Sequence, residues 1–296
     1  MSTPHVTVVR ACLRGGAGGS PTAVILEGDK DTSPLDDDER RRIPVERGTS
    51  HAVYVRHAAD ATELRFFTAD GELPACGHGT LAALALLVAS HGESGPYRAT
   101  LRAGGRAFAG RAERDGELII AAFDPGPVDL REPTPEERTL VLAALGLTPE
   151  ETGPDVRIAG VGRERLLVPV PSRAALTALR PDLARLKAAC DRFGLLGAYV
   201  HSPPSPDGAL AARMFAPSIG VPEDIANANS TACLAAHLAD RGIRQITVDM
   251  GDALGTRATI TAATGPDLRV ELGGTARVMT VQDQQMPIDQ EVGTYS

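Results

Sequence analysis

Two stretches of this chain repeat each other. Glu72 to Leu87 reads ELPACGHGTLAALALL, and Glu223 to Leu238 reads EDIANANSTACLAAHL. Laid together without gaps at an offset of 151, they agree at Glu, Ala, Thr, Ala and Leu. Each follows a similar strand-like segment, RFFTA in one case and RMFAP in the other. Alanine-rich helices can share such letters by chance, but an offset of half the 296 residues favours duplication. The chain then folds as two similar halves, each built on a strand, a polar turn and an apolar helix.

Periodicity fills in the halves. HVTVVRAC and PTAVILEG read as a strand pair joined by the glycine-rich turn RGGAGGS. Asp36 to Arg42 is a short charged helix, and HAVYVRH and TELRFFTA are strands. Thr80 to Ser90 is the first long apolar helix, too short to span a bilayer. TLRAGGRAFAGRAERDGELIIAAF alternates like a set of antiparallel hairpins, and Pro125 to Pro135 is the expected linker. The second half opens with a helix carrying a capping box at Thr134 and Glu137. Strand RERLLVPV, one helix over SRAALTALRPDLARLKAAC, strands AYVHSPP and ALAARMFA, and helix STACLAAHLADRG follow. ITVDMG, ATITAAT and RVELGG close it as strands. This predicts an α+β fold with one domain over 1–125 and a second over 126–279. The tail over 280–296 has too little apolar content to pack and is expected to be disordered.

Composition excludes several classes of partner. A net charge of −8 with no basic stripe argues against nucleic acid and against an anionic membrane surface. The N-terminus has no apolar stretch of the secretory kind. Cys12, Cys76, Cys190 and Cys233 lie far apart, without CxxC or zinc-ligand spacing, which suits a reduced cytoplasmic compartment. No metal-ligand spacing and no nucleotide loop appears, so neither metal nor cofactor is expected.

The repeated turn is a candidate anion site. In each copy, backbone amides and a helix N-terminus meet at one point, which favours carboxylates or phosphates. The first copy offers Cys76-Gly77-His78-Gly79, the second Asn227-Ala228-Asn229-Ser230. Two such helix ends facing one cleft would hold a small anionic substrate between them. Thiolates form readily at helix N-termini, which makes Cys76 a candidate base. The competing reading makes Cys76 a small buried apolar residue and His78 a satisfied N-cap partner.

These residues resemble the phenazine-biosynthesis PhzF-like proteins, within the diaminopimelate-epimerase-like fold. GSPTAV (Gly19 to Val24) is similar to that family's early GNPxAV strand. RIPVERGTSHAVYV resembles its segment ending in S-E-x-x-F-V, and ELPACGHGT its E-x-P-x-x-G-H turn. RMFAPSIGVPEDIANANS resembles R-M-F-x-P-x-x-G-x-x-E-D-x-A-T-G-S. The resemblance implies two similar domains, each an antiparallel sheet wrapped round a central helix, with the site in the cleft between them. It also implies a homodimer and cofactor-free proton transfer, usually by the glutamate of the S-E segment. His78 and Asp224 carry over directly, with Gly77, Gly79 and Ser20 as further substrate contacts. The glutamate position is taken by His51, after Ser50, and the T-G-S turn becomes Asn227-Ala228-Asn229. Related two-cysteine racemases place one base where Cys76 lies, but their second cysteine falls on Asn227, so a two-cysteine exchange is not expected.

The leading expectation is an isomerase that moves a proton and a double bond in a small carboxylate-bearing, amino-acid-like substrate of specialised metabolism. Phenazine and alkylproline (lincosamide-type) pathways use such enzymes. His51, Cys76 and Asp224 are its catalytic candidates. The alternatives are a one-cysteine epimerase or dehydratase acting on a proline-like substrate, and a non-catalytic metabolite-binding homologue.

Overall fold

The computed structural model of the chain describes residues 5–28, 35–91 and 95–280, so the expectation for the tail lies outside the described residues, except at Thr280. The first half runs β1 (Val6–Ala11), β2 (Ser20–Glu27), α1 (Asp37–Glu46), β3 (His51–His57), β4 (Thr62–Thr68) and β5 (Gly71–Leu73). It continues through α2 (Gly77–Ser90), β6 (Tyr97–Ala103), β7 (Arg106–Asp115) and β8 (Leu118–Phe123). After β9 (Asp129–Arg131), α3 (Pro135–Leu145) and α4 (Pro149–Thr152) come β10 (Arg157–Val161), β11 (Arg163–Pro169), α5 (Arg173–Ala178) and α6 (Leu183–Phe193). Then follow β12 (Ala198–His201), β13 (Ala209–Ala216), β14 (Val221–Asp224), α7 (Ala228–Ala239), β15 (Gln245–Met250), β16 (Ala258–Thr264) and β17 (Val270–Val278).

The strand pairings of β1–β8 return one for one in β10–β17. In the first set β2–β3 and β4–β6 are parallel and the other neighbours antiparallel. In the second, β11–β12 and β13–β15 are parallel and the rest antiparallel. The sheets are therefore mixed, which corrects the expectation of purely antiparallel ones. The reason is local: each parallel pair is joined through one or two helices, and a helical crossover returns the chain in the same direction.

β17 ties the two sets together. Its start pairs with β16, its middle with β8 and its end with β1, which closes a circuit of strands around α2. α7 packs on β9, β10, β15, β16 and β17. α2 is buried on every side from Gly77 to Val88, as a helix apolar all round must be. One apolar cluster contains both helices, so the two repeats share a core. α1 covers the outside of β2–β4, and α3 and α6 the outside of β10–β13. No helix among the described residues is long and apolar enough to cross a membrane.

Several boundaries move for identifiable reasons. α1 runs past Pro44 to Glu46 instead of stopping at Arg42. Pro44 cannot donate to the Arg40 carbonyl, and the Tyr54 hydroxyl does so instead, at 3.0 Å. The single helix expected after Ser172 breaks into α5 and α6 around Pro181, with Asp182 capping the second. The expected linker contains β9, which pairs with β10. α2 begins at Gly77, three residues earlier than expected, so the glycine-histidine turn is the first turn of the helix.

Each repeat also carries the same ionic clamp. Arg65 on β4 grips Glu72 on β5 with two bonds, at 2.8 and 2.6 Å. Arg213 on β13 grips Glu223 on β14 in the same way, at 2.9 and 2.8 Å. Both clamps fix the short return strand that leads into a central helix, so both aim a helix N-terminus.

Acid stability follows from a buried histidine. His201 donates through Nδ1 to the Ser202 carbonyl at 3.0 Å, while its Nε2 has no partner. Burial, only partly offset by that bond, pushes its pKa down to about 4. The unfolded chain binds a proton near pH 6.5 that the folded chain refuses, so stability falls as pH drops from there towards 4. Replacing His201 by Gln is expected to flatten the slope of urea-unfolding free energy by about 1.4 kcal/mol per pH unit in that window. An unchanged slope would show that His201 is not the group responsible.

Candidate active site

The N-termini of α2 and α7 meet. A side-chain carbon added to Gly77 would lie 2.5 Å from Ala228 Cβ and 3.2 Å from the Asn229 amide, so only glycine fits there. The first-turn amides of a helix have no partner within it, so two sets of donors converge here. Beside the contact lies a cavity of about 620 Å³, within the range of small-molecule sites. Both repeats line it, the first with His51, Cys76 and His78, the second with Arg165, Asp224 and Asn229.

The titratable groups form a row. His78 Nδ1 lies 3.0 Å from the Ala226 carbonyl, which can only accept, so this nitrogen carries hydrogen. His78 Nε2 lies 3.0 Å from His51 Nδ1, with the rings edge to face, and 3.6 Å from Cys76 Sγ. Ser50 Oγ is 2.8 Å from the same His51 nitrogen and can donate or accept. Burial holds His51 well below the usual imidazole range, and the charge of His78 adds to this. Burial also acts to lower His78, but the Cys76 sulfur, Asp224 and the Ala226 carbonyl outweigh it and raise it to about 9.

The contacts of this row can be satisfied by two arrangements of protons. With His78 charged and Cys76 a thiolate, His78 Nε2 donates to His51, whose remaining proton sits on Nε2. With both neutral, His51 Nδ1 donates to His78 and His51 Nε2 is bare, while Cys76 holds its proton. The two forms contain the same number of protons, so they belong to one coupled system. In each form one end of the row can accept a proton and the other can give one.

Other expected residues take different places. Asp224 accepts from Asn227 Nδ2 at 3.0 Å and from the Ala226 amide at 3.3 Å. Asn227 caps α7 by accepting from the Ser230 amide, so both ends of its side chain are engaged and it positions Asp224. Asn227, Ala228 and Asn229 all line the cavity. Ser20 does not: it is fully buried at the start of β2 with its hydroxyl unpartnered, which corrects its assignment as a substrate contact. Gly79 is also absent from the wall and packs against Phe66 and the Cys76 sulfur. Among the four cysteines only Cys76 lines the cavity, and burial pushes the thiols of Cys12, Cys190 and Cys233 up. His51, Cys76 and His78 bring three metal-ligating atoms within 4.8 Å of one another, a set that spacing along the chain does not reveal.

Sequence reasoning missed Arg165. It lies on β11, on the same face as the buried Leu167, and only 1% of it is exposed. The signal, a position two residues from an inward leucine on one strand, is weak because the apolar run RERLLVPV does not alternate.

A fold built on two central helices whose N-termini meet beside a cavity is shared with PhzF and epimerase-like structures. The chain belongs to the phenazine biosynthesis-like protein family (PhzC-PhzF), whose model matches residues 14–282, and it is an isomerase. It is 30% identical to trans-2,3-dihydro-3-hydroxyanthranilate isomerase of Pseudomonas chlororaphis over 80% of this chain and 81% of that one. It is 25% identical to the uncharacterized isomerase YddE of Escherichia coli K12 over 93% of this chain and 96% of the other. A solved structure described as a predicted epimerase from Pseudomonas aeruginosa superposes with a TM-score of 0.78 at 25% identity, covering 94% of this chain and 98% of its own.

The helix-end contact gives a direct test. Gly77→Ala is expected to force the ends apart and cost roughly 1–3 kcal/mol of stability. Adding Ala228→Gly removes the 2.5 Å overlap and is expected to restore most of the loss. Thermal unfolding of both variants decides this, and a double variant no more stable than Gly77→Ala would refute the contact.

Proposed function

We propose that this isomerase shifts a proton, and with it a double bond, between two carbons of a small carboxylate-bearing, amino-acid-like intermediate, using no cofactor. The observation that carries the reading is the hydrogen-bonded row Cys76, His78, His51 on the cavity wall, beside the meeting helix ends. The amides at Gly77 and Ala228 hold the carboxylate, which keeps the negative charge developing on the substrate next to two positive helix ends. Cys76 as thiolate takes a proton from one carbon, and His51 Nε2 gives a proton to another. The proton between the rings passes from His78 Nε2 to His51 Nδ1. The site is left with a thiol, a neutral His78 and a bare His51 Nε2; it is restored when the thiol gives its proton to solvent, His51 Nε2 takes one from solvent and the ring proton returns to His78 Nε2. Asp224 holds the α7 turn and favours the charged form of His78.

The wider reading treats the two repeats as domains over 1–125 and 126–279 with the active site in the cleft between them. It makes the enzyme a homodimer, and it places the reaction in specialised metabolism, in keeping with a family described as phenazine biosynthesis-like. A reducing cytoplasm suits a reaction that needs a free thiol, and all four cysteines are unpaired. A one-cysteine epimerase is the second reading, favoured by Cys76 being the one cysteine on the cavity wall among the described residues.

Solvent exchange separates the readings. In D2O with a panel of prolines and cyclic unsaturated amino acids, the wild type is expected to exchange carbon-bound hydrogen with at least one of them. His51→Ala and Cys76→Ala should each slow this by about a hundredfold or more. Loss in Cys76→Ala alone selects the epimerase, and full exchange in both variants removes the row from the chemistry. The wild-type kcat/KM profile is expected to fall on the acid side below pH 6.5, because His51 resists protonation, and on the alkaline side near about 9, where His78 discharges. Cys76→Ser removes the negative partner and should move the alkaline limb down.

A further inference from the structure

We infer that Arg165 binds a second anionic group of the substrate, on the wall opposite His51, so that the cavity takes a dicarboxylate-class compound. This rests on the reading that the cavity holds the substrate, with one carboxylate at the helix ends.

Arg165 is a buried cation without an acid. It is 1% exposed, and its side chain is a guanidinium cation. Its Nη1 donates to Cys233 Sγ at 2.7 Å, and its buried Nε has no partner among the described residues. Among the described residues it forms no ion pair, although Asp70, Glu72, Asp129 and Asp224 line the same cavity. Burying an unpaired charge is costly, and a thiol kept protonated by burial supplies no countercharge. The other two arginines on the wall differ. Arg106 is turned to the Pro125 carbonyl and Arg163 to the Leu195 carbonyl.

The repeat fixes where Arg165 stands. In the first half Ala23 pairs with Ala52, and Ala52 with Phe67. In the second half Leu166 pairs with Ala198, and Ala198 with Phe215. One step back along each strand makes Thr22 the counterpart of Arg165, and His51 the counterpart of Gly197. Thr22 is the strand neighbour of His51, and both stand on the inward face of their repeat. In the second repeat the histidine position is a glycine whose Cβ would strike the Phe215 carbonyl, and the neighbouring position carries the long cation. The two walls are thus chemically opposite: proton-active rings on one, a fixed positive charge on the other. A substrate anchored at the helix ends and reaching across the cavity meets Arg165 with its far end. A carboxylate fits the planar fork of the guanidinium.

Binding tests this without turnover. Wild type, Arg165→Met and Arg165→Lys are titrated by calorimetry with pyrrole-2-carboxylate, pyrrole-2,5-dicarboxylate, and the linear dicarboxylates from malonate to pimelate beside their monocarboxylate counterparts. Wild type is expected to bind at least one dicarboxylate about tenfold or more tighter than its monocarboxylate partner. Arg165→Met should abolish that preference and leave monocarboxylate affinity within about threefold, while Arg165→Lys restores part of it. The ligand-free Met variant should melt no lower than wild type, because it removes an uncompensated buried charge. The inference is overturned if wild type shows no preference anywhere in the series, if the Met variant keeps the preference, if it loses both ligand types equally, or if it melts well below wild type. Dicarboxylate preference without hydrogen exchange would leave this inference standing and sink the proton-transfer reading. Exchange without any role for Arg165 in binding would do the reverse.

Discussion

Two helices point their N-termini at each other, and the remaining structure is arranged around that contact. Each end carries roughly half a positive charge, so bringing them together is electrostatically unfavourable. Burial of α2 and α7 in a shared apolar cluster offsets the repulsion, and the Arg–Glu clamps hold the strands that lead into both helices. β17 prevents the two repeats from separating, because it is hydrogen-bonded to strands of both. The result is a positive point inside a chain of net charge −8. Charge of that kind, concentrated against the overall balance, is the physical ground for the proposed anionic substrate.

The same contact explains the coupling of the histidines. His78 sits in the first turn of α2, yet the acceptor that fixes its tautomer is Ala226, 148 residues away and next to the start of α7. Once Nδ1 is committed there, Nε2 has only His51 and Cys76 to choose between. The closeness of the helix ends therefore decides which nitrogen faces the site. Burial keeps His51 neutral, and neighbouring negative groups favour the charged form of His78, so two rings 3.0 Å apart have opposite tendencies. Groups whose proton affinities are pushed apart in this way are suited to act as a base and an acid within one turnover.

Duplication left the two halves equivalent in topology and different in chemistry. The pairings of β1–β8 recur in β10–β17, and so does the ionic clamp. The cavity residues and their counterparts do not match: Cys76 answers to Asn227, Gly77 to Ala228, His51 to Gly197 and Arg165 to Thr22. A symmetric pair of bases would suit inversion at one carbon. An unsymmetric cavity suits a substrate whose two ends differ in role.

The sequence by itself determined the repeat, the identity of both central helices and most of the strands, because these depend on periodicity within short windows. It also pointed to His51, Cys76, His78 and Asp224 as residues of one site. Its errors came where long-range geometry overrode a local signal. Glycines read as a turn became the first turn of α2, and Pro44 was tolerated because a tyrosine from another strand replaced its missing donor. Ser20 carried a motif position but is fully buried and is not part of the cavity wall. Only the tertiary structure could show that Asn227 is used up in capping α7 and holding Asp224. Only it could show that Arg165 lacks a countercharge, since a missing partner is a property of everything packed around a group and not of its neighbours along the chain.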